Sequence, residues 1–283
     1  MNEAVTERSP HIAVVIPTFN EPDLVVACLR SLESLGVSHE VIVANAGEAI
    51  PDLNPSVTQL QLPSDHFWAA STQAGIDRAL ESGADYVVLA NADTEFMPGT
   101  LAALLEATQS NAQAIACVPA YDESEHLLYS RQDSWGFLLY GKLVRGWSRP
   151  SDAPSAPYRT DLIGGQGVMI PAAALRAARM DLENFPQYAA DHDFWLQLAQ
   201  RGWELWVTPR GGVRNRRGFN RQRRRSLAST LWHRMTSPFA PESIPIMWRL
   251  RRKHLPLPIA VVSFVVSFGL RWTLGLPKII RRS

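Results

Sequence analysis

Apolar and polar positions in this chain fall into two alternating kinds of block. Ile12 to Ile16 is a continuous apolar run ended by Pro17-Thr18-Phe19-Asn20-Glu21-Pro22. Leu24, Val25, Leu29, Leu32 and Leu35 then recur at helical spacing as far as Gly36. The alternation repeats downstream. Glu40 to Ala44 and a short run around Leu60 read as strands, Phe67 to Leu80 as a helix closed near Gly83, and Tyr86 to Ala90 as a fourth strand. Leu101 to Ala107 is helical, Ala114 to Pro119 a strand, Gly164 to Ile170 an apolar strand, and Ala172 to Ala178 a short helix. Asp191 to Arg201 is a helix with an apolar face at Phe194, Trp195 and Leu198, ending at Gly202, and Glu204 to Thr208 is a last strand before Pro209. Strands alternating with helices predict an α/β fold, a mostly parallel sheet with helices on both faces. Residues 120–160, rich in Trp, Pro, Ser and Tyr, break the pattern and read as a substrate loop region. There are no internal repeats.

Polar residues cluster where this pattern places the carboxyl ends of strands, which is where doubly wound sheets bind ligands. Thr18, Asn20 and Glu21 follow the first strand and Asn45 the second. Asn91-Ala92-Asp93-Thr94-Glu95 follows the fourth. In an extended segment, Asp93 and Glu95 would share one side, and paired hard oxygens there suit a divalent cation carrying phosphates. Taken singly, Asp93 could cap a turn, and Asn20 with Pro22 could be turn chemistry alone. A second acidic cluster, Asp191-His192-Asp193, opens a predicted helix. Asp191 is there either an N-cap or a general base, and His192 reads as a surface or capping residue.

Composition changes the picture at the C-terminal end. The 283 residues are 46% hydrophobic with nine Trp, which excludes a disordered chain and allows one large α/β domain with an appendage. The net charge of +1 conceals 16 Lys and Arg against one acid, Glu242, from Val213 onward; residues 1–212 hold the other 12 basic and 26 acidic residues. The division is therefore a body over 1–212 and a basic tail over 213–283. Arg214, Arg216, Arg217, Arg221, Arg223, Arg224 and Arg225 form one cluster, and Arg249, Arg251, Arg252 and Lys253 another. Leu255 to Leu270 carries no charge, and Arg271-Trp272 follows. That run is short for a span of about 20 residues and fits an interfacial or re-entrant helix on an anionic membrane surface, the alternative being a helix hairpin packed on the body or on a second copy. Clusters flanking an apolar run, with no second basic face, argue against nucleic acid. Cys28 and Cys117 read as small core residues, and Met1 to Pro10 lacks the apolar segment of a signal peptide, so the body is expected to face the cytosol.

Three segments carry a resemblance. Val15-Ile16-Pro17-Thr18-Phe19-Asn20-Glu21, Asn91-Ala92-Asp93-Thr94-Glu95 and Ala190-Asp191-His192-Asp193-Phe194 resemble, in order, the family-2 glycosyltransferases of the GT-A, Rossmann-like fold. Phe67-Trp68-Ala69-Ala70, Gly164-Gly165-Gln166-Gly167 and Phe185-Pro186-Gln187-Tyr188 resemble a bacterial, membrane-associated branch. The resemblance spans roughly residues 11–215. It implies a nucleotide-sugar site at Pro17, Thr18, Glu21, Asn45, Asn91 and Asp93, with Asn45 standing where the family usually has Asp. It implies Mg²⁺ or Mn²⁺ on Asp93 with Glu95, catalysis by Asp191, and a sugar region at Trp68, Gly165, Gln166 and Asp193. Asn215 falls where many members carry a metal-binding His.

The implied reaction is inverting transfer from a nucleotide-diphospho-sugar to a hydroxyl of a glycan or lipid-linked acceptor, at the cytoplasmic face of a membrane, with a homo-oligomer left open. Two rivals stand beside it. A nucleotidyltransferase would need a Gly- and Lys-rich phosphate loop after the first strand, which Thr18-Phe19-Asn20-Glu21 does not supply. A catalytically degenerate subunit scaffolding a glycan-assembly partner draws on Asn45 and Asn215, against the retained Asp93 and Asp191.

Overall fold

The computed structural model describes residues 8–33, 35–134, 141–144, 146–216, 232, 235–237, 240 and 243–280. The basic residues Arg217, Arg221, Arg223, Arg224 and Arg225 lie outside them, as do residues 1–7, which include most of the N-terminal segment. In chain order the elements are β1 (Ile12–Thr18), α1 (Pro22–Glu33), β2 (Glu40–Asn45), β3 (Val57–Gln61), α2 (Trp68–Glu81), β4 (Tyr86–Leu89), β5 (Thr94–Phe96), α3 (Thr100–Gln109) and β6 (Ala114–Cys117). Then follow β7 (Ala120–Tyr121), β8 (Leu127–Tyr129), β9 (Arg131–Ser134), β10 (Gly141–Val144), β11 (Tyr158–Thr160), β12 (Val168–Pro171) and α4 (Ala172–Ala177). The last are α5 (Ala190–Ala199), β13 (Glu204–Val207), β14 (Val213–Asn215), α6 (Ile244–His254) and α7 (Leu257–Ile280).

The main sheet has eight strands among the described residues, ordered β11-β13-β6-β12-β4-β1-β2-β3. β1 pairs in parallel with β2 and β4, β2 with β3, and β13 with β6, whereas β12 runs against both β4 and β6 and β11 against β13. The expected mostly parallel α/β sheet is thus present, with two strands reversed. Every residue of β1 is buried, as a strand covered on both faces requires. α2 packs on β1 and β2, α3 on β6 and β12, and α5 on β13. Gly75 sets how closely α2 seats: a Cβ there would stand 2.4 Å from Val15 Cγ1. A second sheet, β5-β14-β7-β8, covers one end of the molecule. The sequence pattern gave no sign of it, because strands of two or three residues are too short to show a period.

The boundary expected at residue 212 does not coincide with a physical one. β14 is a middle strand of the second sheet, and Ile246 and Leu250 of α6 join the hydrophobic core of the body. α6 and α7 pack against each other as a helix hairpin. Trp248 meets Phe264 edge-on at 5.6 Å, Phe264 stacks on Phe268, and buried Arg251 donates to Ser263 Oγ and to the Met247 carbonyl. Ala260, Ser263 and Ser267 face inward, while Leu257, Ile259, Val261, Val262, Val265 and Val266 are exposed. Among the described residues no helix is long and apolar enough to cross a membrane.

Candidate functional site

The carboxyl ends of β1 and β4 and the entry to α2 enclose a cavity of about 400 Å³. Its walls are Pro17, Thr18, Phe19 and Glu21 from β1 and the turn after it, Asn91, Ala92 and Asp93 after β4, and Ser64, His66, Phe67, Trp68 and Ser71 around the start of α2, with Gln187 from the chain before α5. Neighbouring parallel strands β1 and β4 bring the first two groups together, and α2 closes the mouth with the positive end of its dipole. Six of the residues expected from the sequence therefore line one cavity: Pro17, Thr18, Glu21, Trp68, Asn91 and Asp93.

Two wall atoms are buried without a hydrogen-bond partner among the described residues, Thr18 Oγ1 and His66 Nδ1. Buried polar atoms ordinarily find a partner, so these two mark positions a polar ligand would satisfy. Trp68 is held through both its indole and its backbone. Its Nε1–H donates to Asn91 Oδ1 at 2.9 Å, and its backbone N–H donates to Gln187 Oε1 at 3.0 Å.

Asp191 stands beside this cavity. The position of a Cβ on Gly165 lies 2.5 Å from Trp68 Cζ2 and 3.7 Å from Asp191 Cβ, so Gly165 is the thin partition where the indole and the candidate base come together. Asp191 occupies the first turn of α5, where its Oδ1 accepts the His192 N–H at 2.8 Å. The N-cap position belongs to Ala189, in the left-handed region at φ 62.

A buried network lies beneath the acidic turn. Thr94 Oγ1 accepts the Asn91 N–H and donates to Gln166 Oε1, while Gln166 Nε2 donates to the Tyr129 hydroxyl. Burial, opposed by the Gln166 hydrogen bond and reinforced by the nearby charges of Asp191 and Asp93, raises the Tyr129 hydroxyl pKa well above its ordinary value, so it stays a neutral hydrogen-bonding group. Nothing in the irregular 120–160 stretch marked Tyr129. Gln187 lay inside a quoted motif without an assigned role, and His66 had no signal beyond standing before a helix.

Six of the expected site residues do not line the cavity: Gly165 and Asp191 stand beside it, and Glu95, Asn45, Gln166 and Asp193 lie elsewhere. A turn at Asn91–Thr94 breaks the extended geometry that would have aligned Asp93 with Glu95. Asp93 turns to the cavity, and Glu95 enters the β5–β14 ladder opposite Arg214. Glu95 there meets Arg214 at 3.3 Å and Arg216 at 3.9 Å, and Arg214 also pairs with Glu125. Asn45 is fully buried, its amide donating to the Glu48 carbonyl at 2.7 Å and accepting the Gly47 N–H at 2.9 Å. Gln166 belongs to the buried network. Asp193 is 0% exposed on the inner face of α5, held by Lys253 at 2.9 Å and His254 at 2.7 Å. Asn215 pairs with Thr94 in the ladder and lies 3.5 Å from Gln166 Oε1.

Among the described residues no group of three or more His, Cys, Asp or Glu is placed to hold a metal ion. The donor set nevertheless fits one kind of cation. Mg²⁺ or Mn²⁺ shared with a diphosphate needs one or two protein carboxylates and keeps its waters, and Asp93 on the cavity wall supplies that.

Comparison with known proteins agrees with the geometry. A family model described as Glycosyl transferase family 2 matches residues 13–162, just over half of the chain. A protein of Mycobacterium tuberculosis (strain CDC 1551 / Oshkosh), Uncharacterized protein MT1568, is 25% identical over 227 residues, covering 75% of this chain and 69% of its own. Among solved structures, the crystal structure of GalNAc-T7 with UDP, GalNAc and Mn²⁺ superposes with a TM-score of 0.57 at 15% identity, over 74% of this chain. This chain spans 44% of that protein's length. The chain belongs to glycosyl transferase family 2 and has the GT-A fold.

Proposed function

We propose that this glycosyltransferase binds a nucleotide-diphospho-sugar in the cavity formed by β1, β4 and α2, and transfers the sugar with inversion to an acceptor hydroxyl deprotonated by Asp191. The observation that supports the reading is the meeting of Trp68, Gly165 and Asp191, whose Cβ lies 3.7 Å from the Cβ position of Gly165, beside a cavity with buried polar atoms that lack a partner among the described residues. In the reaction, the acceptor oxygen bonds to the anomeric carbon as the bond to the diphosphate oxygen breaks on the opposite face. The acceptor proton passes to an Asp191 carboxylate oxygen. Asp93 and Glu21 line the cavity, and Trp68, held by Asn91 and Gln187, orients the sugar. A divalent cation bound through Asp93 would neutralise charge growing on the departing diphosphate. Asp191→Asn should abolish transfer while leaving affinity for the sugar donor within about twofold. Transfer at the wild-type rate would refute the assignment.

The acceptor we infer is a glycan on a lipid carrier, reached from the cytoplasmic face of a membrane. Support comes from α7, whose outward side from Leu257 to Val266 is aliphatic, with exposed Arg249 and Arg252 on the adjoining helix. Apolar side chains beside exposed cations suit an anionic lipid surface. Replacing Val262, Val265 and Val266 with Ser in the full chain should abolish co-sedimentation with phosphatidylglycerol vesicles. Retained co-sedimentation would count against the lipid surface. The Asn45 amide donates to a backbone carbonyl, which a carboxylate could not do, so this Asn is explained without a loss of catalysis.

A further inference from the structure

Resting on the reading of Asp191 as the base, we propose that Lys253 and His254 of α6 are positioning residues that clip together both ends of the loop delivering Asp191 and Gln187 to the cavity. Residues 178–189 leave α4 as irregular chain. Such a segment has no backbone ladder to fix it, yet it must present Gln187 to the start of α2 and Asp191 to Gly165. The Lys253 ammonium meets Asp181 Oδ2 at 2.8 Å near the start of this segment and Asp193 Oδ2 at 2.9 Å just beyond its end. It lies 5.6 Å from the centroid of the Phe185 ring, which is buried midway along the loop. His254, its side chain 3% exposed, donates its Nε2–H to the other Asp193 oxygen at 2.7 Å, and its Nδ1 lies 3.2 Å from Gln200 Nε2.

Each end is anchored further. Asn184 donates to Asp181 through its backbone and its side chain, and Gln197 Nε2 donates to Asp193 Oδ2 at 2.8 Å. Asp193 lies two residues past Asp191 in the first turn of α5, so a shift of its buried carboxylate rotates the turn carrying the base. Ala189, held at φ 62 between the two anchors, shows that the entry to this turn is imposed by its surroundings rather than by local preference. The clip also explains why the helix after the basic segment packs into the catalytic body. It completes the loop electrostatically, two carboxylates on one lysine, with a core that includes Ile246 and Leu250.

Positioning errors near 1 Å cost rates about a hundredfold. Two full-length variants test the clip. Asp181→Asn loosens the leading end and leaves Asp193 paired, and Lys253→Gln removes the cation shared by both ends while His254 and Gln197 stay on Asp193. Expected are a fall in kcat of about tenfold or more, a sugar-donor KM within about threefold, and faster amide hydrogen exchange confined to residues 181–193. Wild-type kcat in both folded variants would overturn the proposal. So would a kcat loss without faster exchange in that segment, or a loss that tracks only the fraction unfolded. Asp191→Asn run alongside separates the two ideas. If that variant keeps transferring sugar, the base assignment falls, and the exchange and kcat readouts still decide whether the loop is clipped.

Discussion

Gly165→Ala is the sharpest test of how the cavity and the base are joined. A Cβ at this position would stand 2.5 Å from Trp68 Cζ2 and 2.7 Å from Cη2, where ordinary contact begins at 3.4 Å. The indole must therefore retreat by about 0.9 Å, and it has little freedom to do so. Its Nε1–H is committed to Asn91 and its backbone N–H to Gln187. Overpacking of this size costs about 1–3 kcal/mol, and the strained Trp68–Asn91 bond accounts for up to about 1 kcal/mol of it. In a chain this long, each kcal/mol lowers Tm by about 2–4 °C. Thermal unfolding of Gly165→Ala, Trp68→Phe and the double variant gives the coupling. Trp68→Phe deletes the ring atoms that clash, so adding Gly165→Ala to it should cost less than about 0.5 kcal/mol. Additive penalties, or a Gly165→Ala protein with wild-type Tm and sugar-donor affinity, would refute the idea that Trp68 is wedged between Asn91 and Gly165.

Thr18→Val removes a buried hydroxyl without a partner among the described residues, so the ligand-free protein should keep its Tm or gain slightly, while sugar-donor affinity by calorimetry falls about 3- to 10-fold. Glu95→Gln should leave Mn²⁺-dependent nucleotide binding unchanged, because Glu95 serves Arg214 and Arg216, whereas Asp93→Asn should lose it. Asn45→Asp would put a carboxylate against the Glu48 carbonyl at a fully buried position and should cost at least about 1–3 kcal/mol in urea unfolding. Burial works to raise Asp181, yet hydrogen bonds from Lys253 and Asn184 outweigh it and hold its pKa below the ordinary 3.8. Its stabilising contribution is complete above that value and lost as pH falls through the lower, folded-state value. Wild-type Tm should therefore drop more steeply than that of Lys253→Gln between about pH 4 and 2, and parallel curves would argue against the pair.

Much of this architecture is legible from local pattern. The runs at Ile12–Ile16, Glu40–Ala44 and Tyr86–Ala90 became β1, β2 and β4, because a strand buried on both faces leaves a continuous apolar signature. Polar residues following the first and third of those runs were brought to one cavity, since parallel neighbours deliver their carboxyl ends to the same edge. Strand direction was not legible: β12 is as apolar as its neighbours, and nothing in four residues encodes that it runs the other way. The separation of Asp93 from Glu95 was also hidden, because it depends on a turn held by Thr94 and on a strand arriving from residue 213.

The tail carries the larger lesson. A shift in charge density suggested that the body ends near residue 212, yet composition measures net charge and not where each charge is needed. Asp193 sits among Ala190, Phe194, Trp195 and Leu198 on the buried side of α5. A carboxylate at a core position of a helix must find cations, since an unpaired buried charge is far costlier than a paired one. That requirement was present in the sequence as a lone acid on an apolar face. Its answer, Lys253 and His254, lay some 60 residues downstream in a segment that otherwise read as a surface for lipid. The helix after the basic stretch thus serves two ends. One side of α6 pairs with the buried carboxylate in the first turn of α5, and α7, packed on it, turns its aliphatic side outward.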